Sequence, residues 1–103
     1  MELDKQKRVT VPQVLMREIL EPIPENRILK VFFSEKTHAV VFTAKTKKGG
    51  FVFIDQVHLD QKNRFFLGVR LYDLIPRLLS TDSFENLYLC LNTQRELCIK
   101  KVP

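Results

Sequence analysis

The residues best suited to chemistry in this sequence are lysines that stand beside glycines at a strand boundary. Lys45, Lys47 and Lys48 directly precede Gly49 and Gly50 in the stretch TAKTKKGGFVF at residues 43–53. Lysines at the tip of a glycine-bearing hairpin can contact a phosphate backbone. They are equally typical of a solvated turn. The stretch by itself leaves both interpretations open.

A second group of basic and aromatic residues follows further along the chain. His58, Arg64, Phe66 and Arg70 alternate with apolar residues. In single-stranded nucleic-acid binding, cations follow the phosphates and an aromatic ring stacks on a base, a contact worth roughly 1–3 kcal/mol. We therefore predict a basic and aromatic sheet face as the binding site. The alternative is that Phe66 is a core residue under the last hairpin. The predicted contact residues are Lys45, Lys47, Lys48, His58, Arg64, Phe66 and Arg70.

Catalytic and metal-binding patterns are missing from the sequence. Asp55 and His58 are three residues apart in a predicted strand, so their side chains point to opposite faces. His38 has no cysteine or carboxylate at ligand spacing. Gly49 and Gly50 precede a strand rather than a helix, unlike a phosphate-binding loop. We expect a protein that is not an enzyme and that binds no metal or cofactor.

Length and charge limit the organisation and the partners. With 103 residues, 45% of them hydrophobic, the chain is expected to form one domain over residues 1–103, with residues 1–8 flexible. A net charge of +5 and a pI near 9.4 favour an acidic partner, of which nucleic acid is the commonest. We expect no interaction with membranes.

The N-terminal residues, the apolar stretches and the cysteines predict the cellular compartment. The first eight residues contain no apolar signal-peptide region, and no apolar stretch approaches the ~20 residues of a membrane span. We expect a soluble intracellular protein, cytoplasmic or nuclear. A three-residue loop at 93–95 would place Cys90 opposite Cys98. Free thiols are expected because nothing in the chain indicates export.

Hydrophobic periodicity predicts an α+β fold with the order α-ββββ-α-ββ. Thr10 and Gln13 fit a capping box for a helix that ends near Leu20. Asp73 fits the N-cap of a second helix, with Pro76 in its first turn. Period-two patterns occur at residues 28–34, 38–45, 51–59, 64–71, 87–91 and 97–102.

Short loops favour a four-stranded antiparallel meander over the first four strands. The N-terminal helix and the short helix after strand four would pack on it, followed by a C-terminal β-hairpin. No internal repeat is evident in the sequence.

The predicted register divides the sheet into two faces. If Phe42 lies opposite Asp55, then Phe42, Phe53, Phe65 and Leu67 share the core face. The opposite face would carry Lys45, Arg64 and Arg70 around Phe66.

Four antiparallel strands followed by a helix resemble the repeat of the Whirly-type and related transcriptional-coactivator single-strand binders. In those families a glycine and alternating apolar residues end the fourth strand, as Gly68-Val69-Arg70-Leu71 does here before the helix with Leu74 and Leu78. The resemblance covers about residues 28–80 and concerns architecture only.

Taken together, these patterns predict a small basic binding module, with single-stranded nucleic acid as the leading ligand. The alternative is a protein–protein adaptor or an assembly subunit, including a homo-oligomer, that uses the same sheet face or a sheet edge. Salt dependence distinguishes the two hypotheses, because binding to phosphates weakens steeply as the salt concentration rises and binding at an apolar interface does not.

Overall fold

The computed structural model describes residues 1–103 and contains two α-helices and seven strands. The strands are β1 (Arg8–Thr10), β2 (Ile28–Ser34), β3 (Ala39–Thr43), β4 (Phe51–His58), β5 (Arg64–Phe66), β6 (Leu87–Leu91) and β7 (Leu97–Lys101). The helices are α1 (Gln13–Glu18) and α2 (Gly68–Leu78), and a 3-10 turn covers Phe84–Asn86.

The α+β class and the predicted order of elements are confirmed, with β1 as one additional short strand. All pairings are antiparallel and form a two-stranded ribbon, β1–β5, and a five-stranded sheet in the order β4-β2-β3-β7-β6. Neither helix has the length and apolar character that crossing a bilayer requires.

The order of strands in the sheet differs from a meander. β2 lies between β3 and β4, so Asp55 faces Val31 and not Phe42. All five residues of β3 are buried, and β2 has buried residues on both faces, whereas Val57 is the only buried residue of β4. The strands that are buried on both faces, β2 and β3, therefore lie inside the sheet. β4 lies at its edge, where half-exposed apolar side chains destabilise the fold less. The resemblance to the Whirly-type repeat does not extend beyond the order of elements.

A β-bulge in β4 reverses the faces of its first half. Val31 pairs with Asp55 but Phe32 pairs with Phe53, which leaves Ile54 without an opposite residue. An extra residue shifts the side-chain alternation by one. Phe53 is consequently 56% exposed, while Val57 is 5% exposed on the core side. The prediction that Phe53 belongs to the core is wrong for this reason.

The rest of the predicted core is confirmed. Phe42, Phe65 and Leu67 are buried in one cluster, and the rings of Phe42 and Phe65 have centroids 4.8 Å apart. The cluster lies between the five-stranded sheet and the layer made by the ribbon and α2. Its other members are Val9, Val11, Leu29, Val31, Val40, Val57, Leu59, Leu71, Ile75, Leu79, Leu87, Leu97 and Ile99.

Both helices begin elsewhere than predicted. α1 follows Pro12, and no side chain caps it, because Thr10 belongs to β1. α2 begins at Gly68, whose φ of +72° ends β5 early. Leu71 and Ile75 form its buried stripe, which the buried C-cap residue Leu79 continues. Asp73 therefore lies inside the helix, and so does Pro76, which is not in the first turn.

The structure contains an internal repeat. Asp4 Oδ1 accepts hydrogen bonds from the backbone N–H groups two and four residues later, both at 2.9 Å, and Oδ2 accepts from Arg8 Nε at 2.6 Å. Asp60 makes the same three bonds at 2.8, 2.9 and 2.9 Å, with Arg64 in the place of Arg8. The residue before each arginine has a positive φ, 60° and 58°. Each turn is followed by a short strand and a helix.

The two copies are related by a pseudo-twofold axis. In the ribbon, Arg8 pairs with Phe66 and Thr10 with Arg64, an arrangement that is unchanged when the copies are exchanged. The hairpins β2–β3 and β6–β7 extend the repeat and meet through β3 and β7. The fold is thus two β-α-β-β units with β4 added at one edge. Asp, Arg, Leu and Ile at positions 4/60, 8/64, 15/71 and 19/75 are the only identities over residues 4–19, too few to reveal the repeat from sequence.

Candidate nucleic-acid interface

The lysine stretch is a crossover loop and not a hairpin tip. Residues 44–50 connect β3 to β4 across β2, on the sheet face that carries Lys30, because Lys30 Nζ donates to Thr46 Oγ1 at 2.8 Å. Lys47 Nζ lies 2.7 Å from Glu96 Oε1 and 5.2 Å from the centroid of the Phe51 ring. The Lys47 and Glu96 side chains are 16% and 5% exposed. Lys47 is therefore a structural counter-ion.

Burial of Glu96 is tolerated because of its hydrogen bonds. Burial raises the pKa of the Glu96 carboxyl, but the hydrogen bonds from Lys47 and Asn92 outweigh this effect and leave the pKa below its ordinary value. The carboxylate is thus charged in the folded protein. Its other oxygen, Oε2, has no hydrogen-bond partner.

The other two lysines of the loop differ in how free they are. Lys45 Nζ lies 3.0 Å from Glu21 Oε1, and this hydrogen bond raises the pKa of Lys45. Lys48 is exposed and forms no ion pair. Of the three lysines, only Lys48 presents an uncommitted charge.

His58 and Arg70 also lie apart from a common site. His58 is exposed near the end of β4, opposite Ile28. Arg70 belongs to α2 rather than to a strand, and its Nη1 donates to Ile54 O and lies 3.3 Å from Asp55 Oδ2. The prediction that a sheet face and the adjoining lysine tip bring the seven residues into one site is wrong, because β5 ends at Phe66 and the crossover loop lies over the five-stranded sheet.

The structure does bring Arg64 and Phe66 together on the outer side of the ribbon. Val9 and Phe65 point into the core, so their neighbours point outward, as the period of two requires. Phe66 is 56% exposed and stands opposite Arg8. We call the outward residues of the two strands the ribbon face, which consists of Arg8, Thr10, Arg64 and Phe66.

The two arginines of the ribbon face are oriented but not fully engaged. Each uses Nε to bond its aspartate, Asp4 or Asp60, while its Nη1 and Nη2 make no hydrogen bond within the protein. The backbone N–H groups of Arg8 and Arg64, and then their side chains, lower the pKa of these aspartates. Both guanidinium groups are therefore held in place with unbonded terminal nitrogens, in side chains that are 24% and 25% exposed.

Charge is concentrated at the ribbon. Residues 4–10 carry three cations against Asp4, and residues 60–66 carry two against Asp60. The ribbon and its two turns thus have three net positive charges of the chain's +5. The position of Arg8 could not be anticipated, because residues 1–8 were expected to be flexible. Those residues make defined contacts, and the Met1 amino group donates to Phe84 O and Leu87 O at 2.9 and 2.7 Å.

The spacing Asp-x-x-x-Arg occurs at residues 4–8 and 60–64, and a third time at 73–77 within α2, so the spacing alone does not identify Arg8. No group of three or more histidine, cysteine, aspartate or glutamate side chains is arranged to hold a metal ion. Comparisons with protein-family models, curated proteins and solved structures found no match to this chain.

Proposed function

We propose that this protein is a non-enzymatic nucleic-acid-binding module that prefers single strands and binds them through the ribbon face. The observation that supports this most directly is the exposed Phe66 ring between two arginines whose terminal nitrogens are unbonded. An aromatic platform flanked by cations matches a base flanked by phosphates.

The preference for single strands follows from the stacking contact. A base can lie on the Phe66 ring only where its own face is not covered by a neighbouring base pair. The arginines would meanwhile contact phosphate oxygens, for which the planar guanidinium is well suited. Lys5, Lys7 and Lys62, in the two turns at the ends of the ribbon, would add a longer-range attraction.

Fluorescence anisotropy with a labelled single-stranded oligonucleotide and its duplex tests the proposal at physiological salt. We expect tighter binding to the single strand. Phe66→Ala should weaken that binding, whereas Phe53→Ala should not, although both side chains are 56% exposed. Arg64→Gln should weaken binding as well, with Arg77→Gln as a charge-matched control, because Arg77 also forms an i,i+4 pair with an aspartate, Asp73, but belongs to α2 and not to the ribbon face. Equal effects of Phe66→Ala and Phe53→Ala would contradict the proposal.

The second candidate is a protein-binding or assembly role at the β4 edge. β4 pairs on one side with β2, and its other side is an edge of the sheet with Val52 and Phe53 46% and 56% exposed. An exposed edge with apolar side chains favours addition of a strand from another chain, including a second copy. Light scattering at increasing protein concentration tests this. Phe53→Lys should reduce any self-association that the parent shows, and the reduction should be the same with and without nucleic acid.

A further inference from the structure

Two thiols face one another on neighbouring strands outside the ribbon. Cys90 of β6 lies directly opposite Cys98 of β7, as the loop length predicted, and the two Sγ atoms are 3.1 Å apart. Both cysteines are free. No other cysteine is present in the chain, so each is the other's only thiol partner.

The backbone around the pair already has the spacing of a disulfide. The Asn92 N–H donates to Glu96 O at 2.9 Å, so alternation along the hairpin makes Cys90 and Cys98 a hydrogen-bonded pair. Such pairs have Cα atoms ~5.5 Å apart. Disulfides span Cα separations of ~4.4–6.8 Å. The typical spacing of such a pair therefore falls within the range that a disulfide spans.

The two thiols are unequal in access and in acidity. Cys98 is fully buried, whereas Cys90 is half-buried and reachable from solvent. The hydrogen bond with Cys98 lowers the pKa of Cys90 to about 7 against the opposing effect of burial, and the positive charge of Lys100 adds to the lowering. The bond and burial raise the pKa of Cys98. Cys90 is therefore the thiol that ionises and meets a reagent first.

We propose that Cys90 and Cys98 form a dithiol modification site that low-molecular-weight disulfides oxidise to an intramolecular disulfide. The Cys90 thiolate attacks one sulfur of the reagent, forms a mixed disulfide and expels one thiolate. Cys98 then attacks Cys90 Sγ and expels the second thiolate, which takes up the Cys98 proton and leaves as a thiol. Two protein thiols are oxidised and one reagent disulfide is reduced to two thiols. The closed bond would join edge strand β6 to β7.

Mass spectrometry after exposure of the folded protein to oxidised glutathione tests the site. We expect the parent to become lighter by two hydrogens, without a stable adduct, and to recover its mass with a reducing agent. Cys98→Ser should retain one glutathionyl group, because no thiol can displace it. Cys90→Ser should react at least about tenfold more slowly than the parent, since Cys98 is buried.

Circular dichroism of both variants serves as the control that they remain folded. A parent that keeps both thiols, or that accumulates the glutathione adduct without closing the bond, would overturn the proposal. Reaction of Cys90→Ser at the parental rate would overturn the assignment of Cys90 as the attacking thiol. The site is independent of the ribbon face, so failure here leaves the proposed function unaffected.

Discussion

At the scale of single residues, the environment of a charged side chain decides its role more than its type does. Lys47 and Lys48 are neighbours in the same loop, yet Lys47 neutralises the buried Glu96 and Lys48 is free in solvent. A lysine whose carboxylate partner is buried stabilises the fold, because removing it leaves an uncompensated charge. Its neighbour contributes only to the surface potential.

Replacing Lys47 with Met should therefore destabilise the protein by about 3 kcal/mol at neutral pH, because Glu96 would remain buried without a counter-ion. Lys48→Met is the control and should change the unfolding free energy by no more than about 0.5 kcal/mol. Urea denaturation of the three proteins measures both effects.

The difference in unfolding free energy between the parent and Lys47→Met should depend on pH with a definite sign. Because the folded-state pKa of Glu96 is lowered, its ion pair stabilises the protein above the unfolded-state pKa and ceases to do so as pH falls through the folded-state pKa. The gap between the parent and Lys47→Met should be full at pH 7 and should narrow below about pH 4. A gap that stays constant down to pH 2 would show that the charge of Glu96 is not involved.

The reactivity of Cys90 gives a second prediction at this scale. Its alkylation rate should rise with pH through a midpoint of about 7. The midpoint for an ordinary cysteine is about 8.5. Cys98→Ala removes the hydrogen bond to the thiolate and should move the midpoint upward. Iodoacetamide labelling between pH 5 and 10 measures this, and an unchanged midpoint in the variant would show that Cys98 does not lower the pKa of Cys90.

At the scale of elements, the ribbon joins two distant parts of the chain into one surface. β1 and β5 are separated by more than fifty residues, but their antiparallel pairing places Arg8 next to Phe66. The Asp4 and Asp60 turns hold both arginines by the same bonds. The ribbon face therefore depends on both copies of the repeat.

Binding through the ribbon should show two kinds of energetic contribution. Arg8→Gln and Arg64→Gln should each flatten the dependence of log affinity on log salt by about one unit of slope, because each lost phosphate contact releases about one counterion fewer. Phe66→Ala should instead weaken binding by roughly 1–3 kcal/mol without a change of slope, since stacking releases few ions. Anisotropy titrations at salt concentrations between roughly 50 and 300 mM measure the slope for each variant. A slope change in Phe66→Ala equal to that in the arginine variants would contradict the assigned roles.

At the scale of the whole molecule, the two β-α-β-β units share one core. Phe42 of the first unit packs against Phe65 of the second, and both β1–β5 and β3–β7 pair across the pseudo-twofold axis. Neither unit covers its apolar face alone. Folding must therefore be cooperative over the full chain.

Two fragments divided in the crossover loop, residues 1–48 and 49–103, should each be largely unfolded when separate and should regain structure when mixed in equal amounts. The break between exposed Lys48 and Gly49 spares every strand and helix. Circular dichroism of each fragment and of the mixture measures this. A folded isolated fragment would show that its core does not need the other unit.

The sequence by itself determined the features that arise from neighbouring residues. The α+β class, the order of elements and the outward direction of Phe66 beside the buried Phe65 follow from periodicity. The pairing of Cys90 with Cys98 follows from loop length. These properties depend on interactions within a few residues, so one sequence is enough to predict them.

Only the tertiary structure decided which strands are neighbours and which charges are free. β7 takes the place beside β3 that a meander would give to β4, and β4 pairs with the outer side of β2, because strands that can be buried on both faces compete for the centre of the sheet. That exchange, together with the bulge at Ile54, turned Phe53 outward and laid the crossover loop over the sheet. It also brought Lys47 to Glu96, while the pairing of β1 with β5 brought Arg8 to Phe66. These contacts join residues about fifty positions apart. Which of them form depends on burial over the whole molecule, and a local sequence pattern does not contain that information.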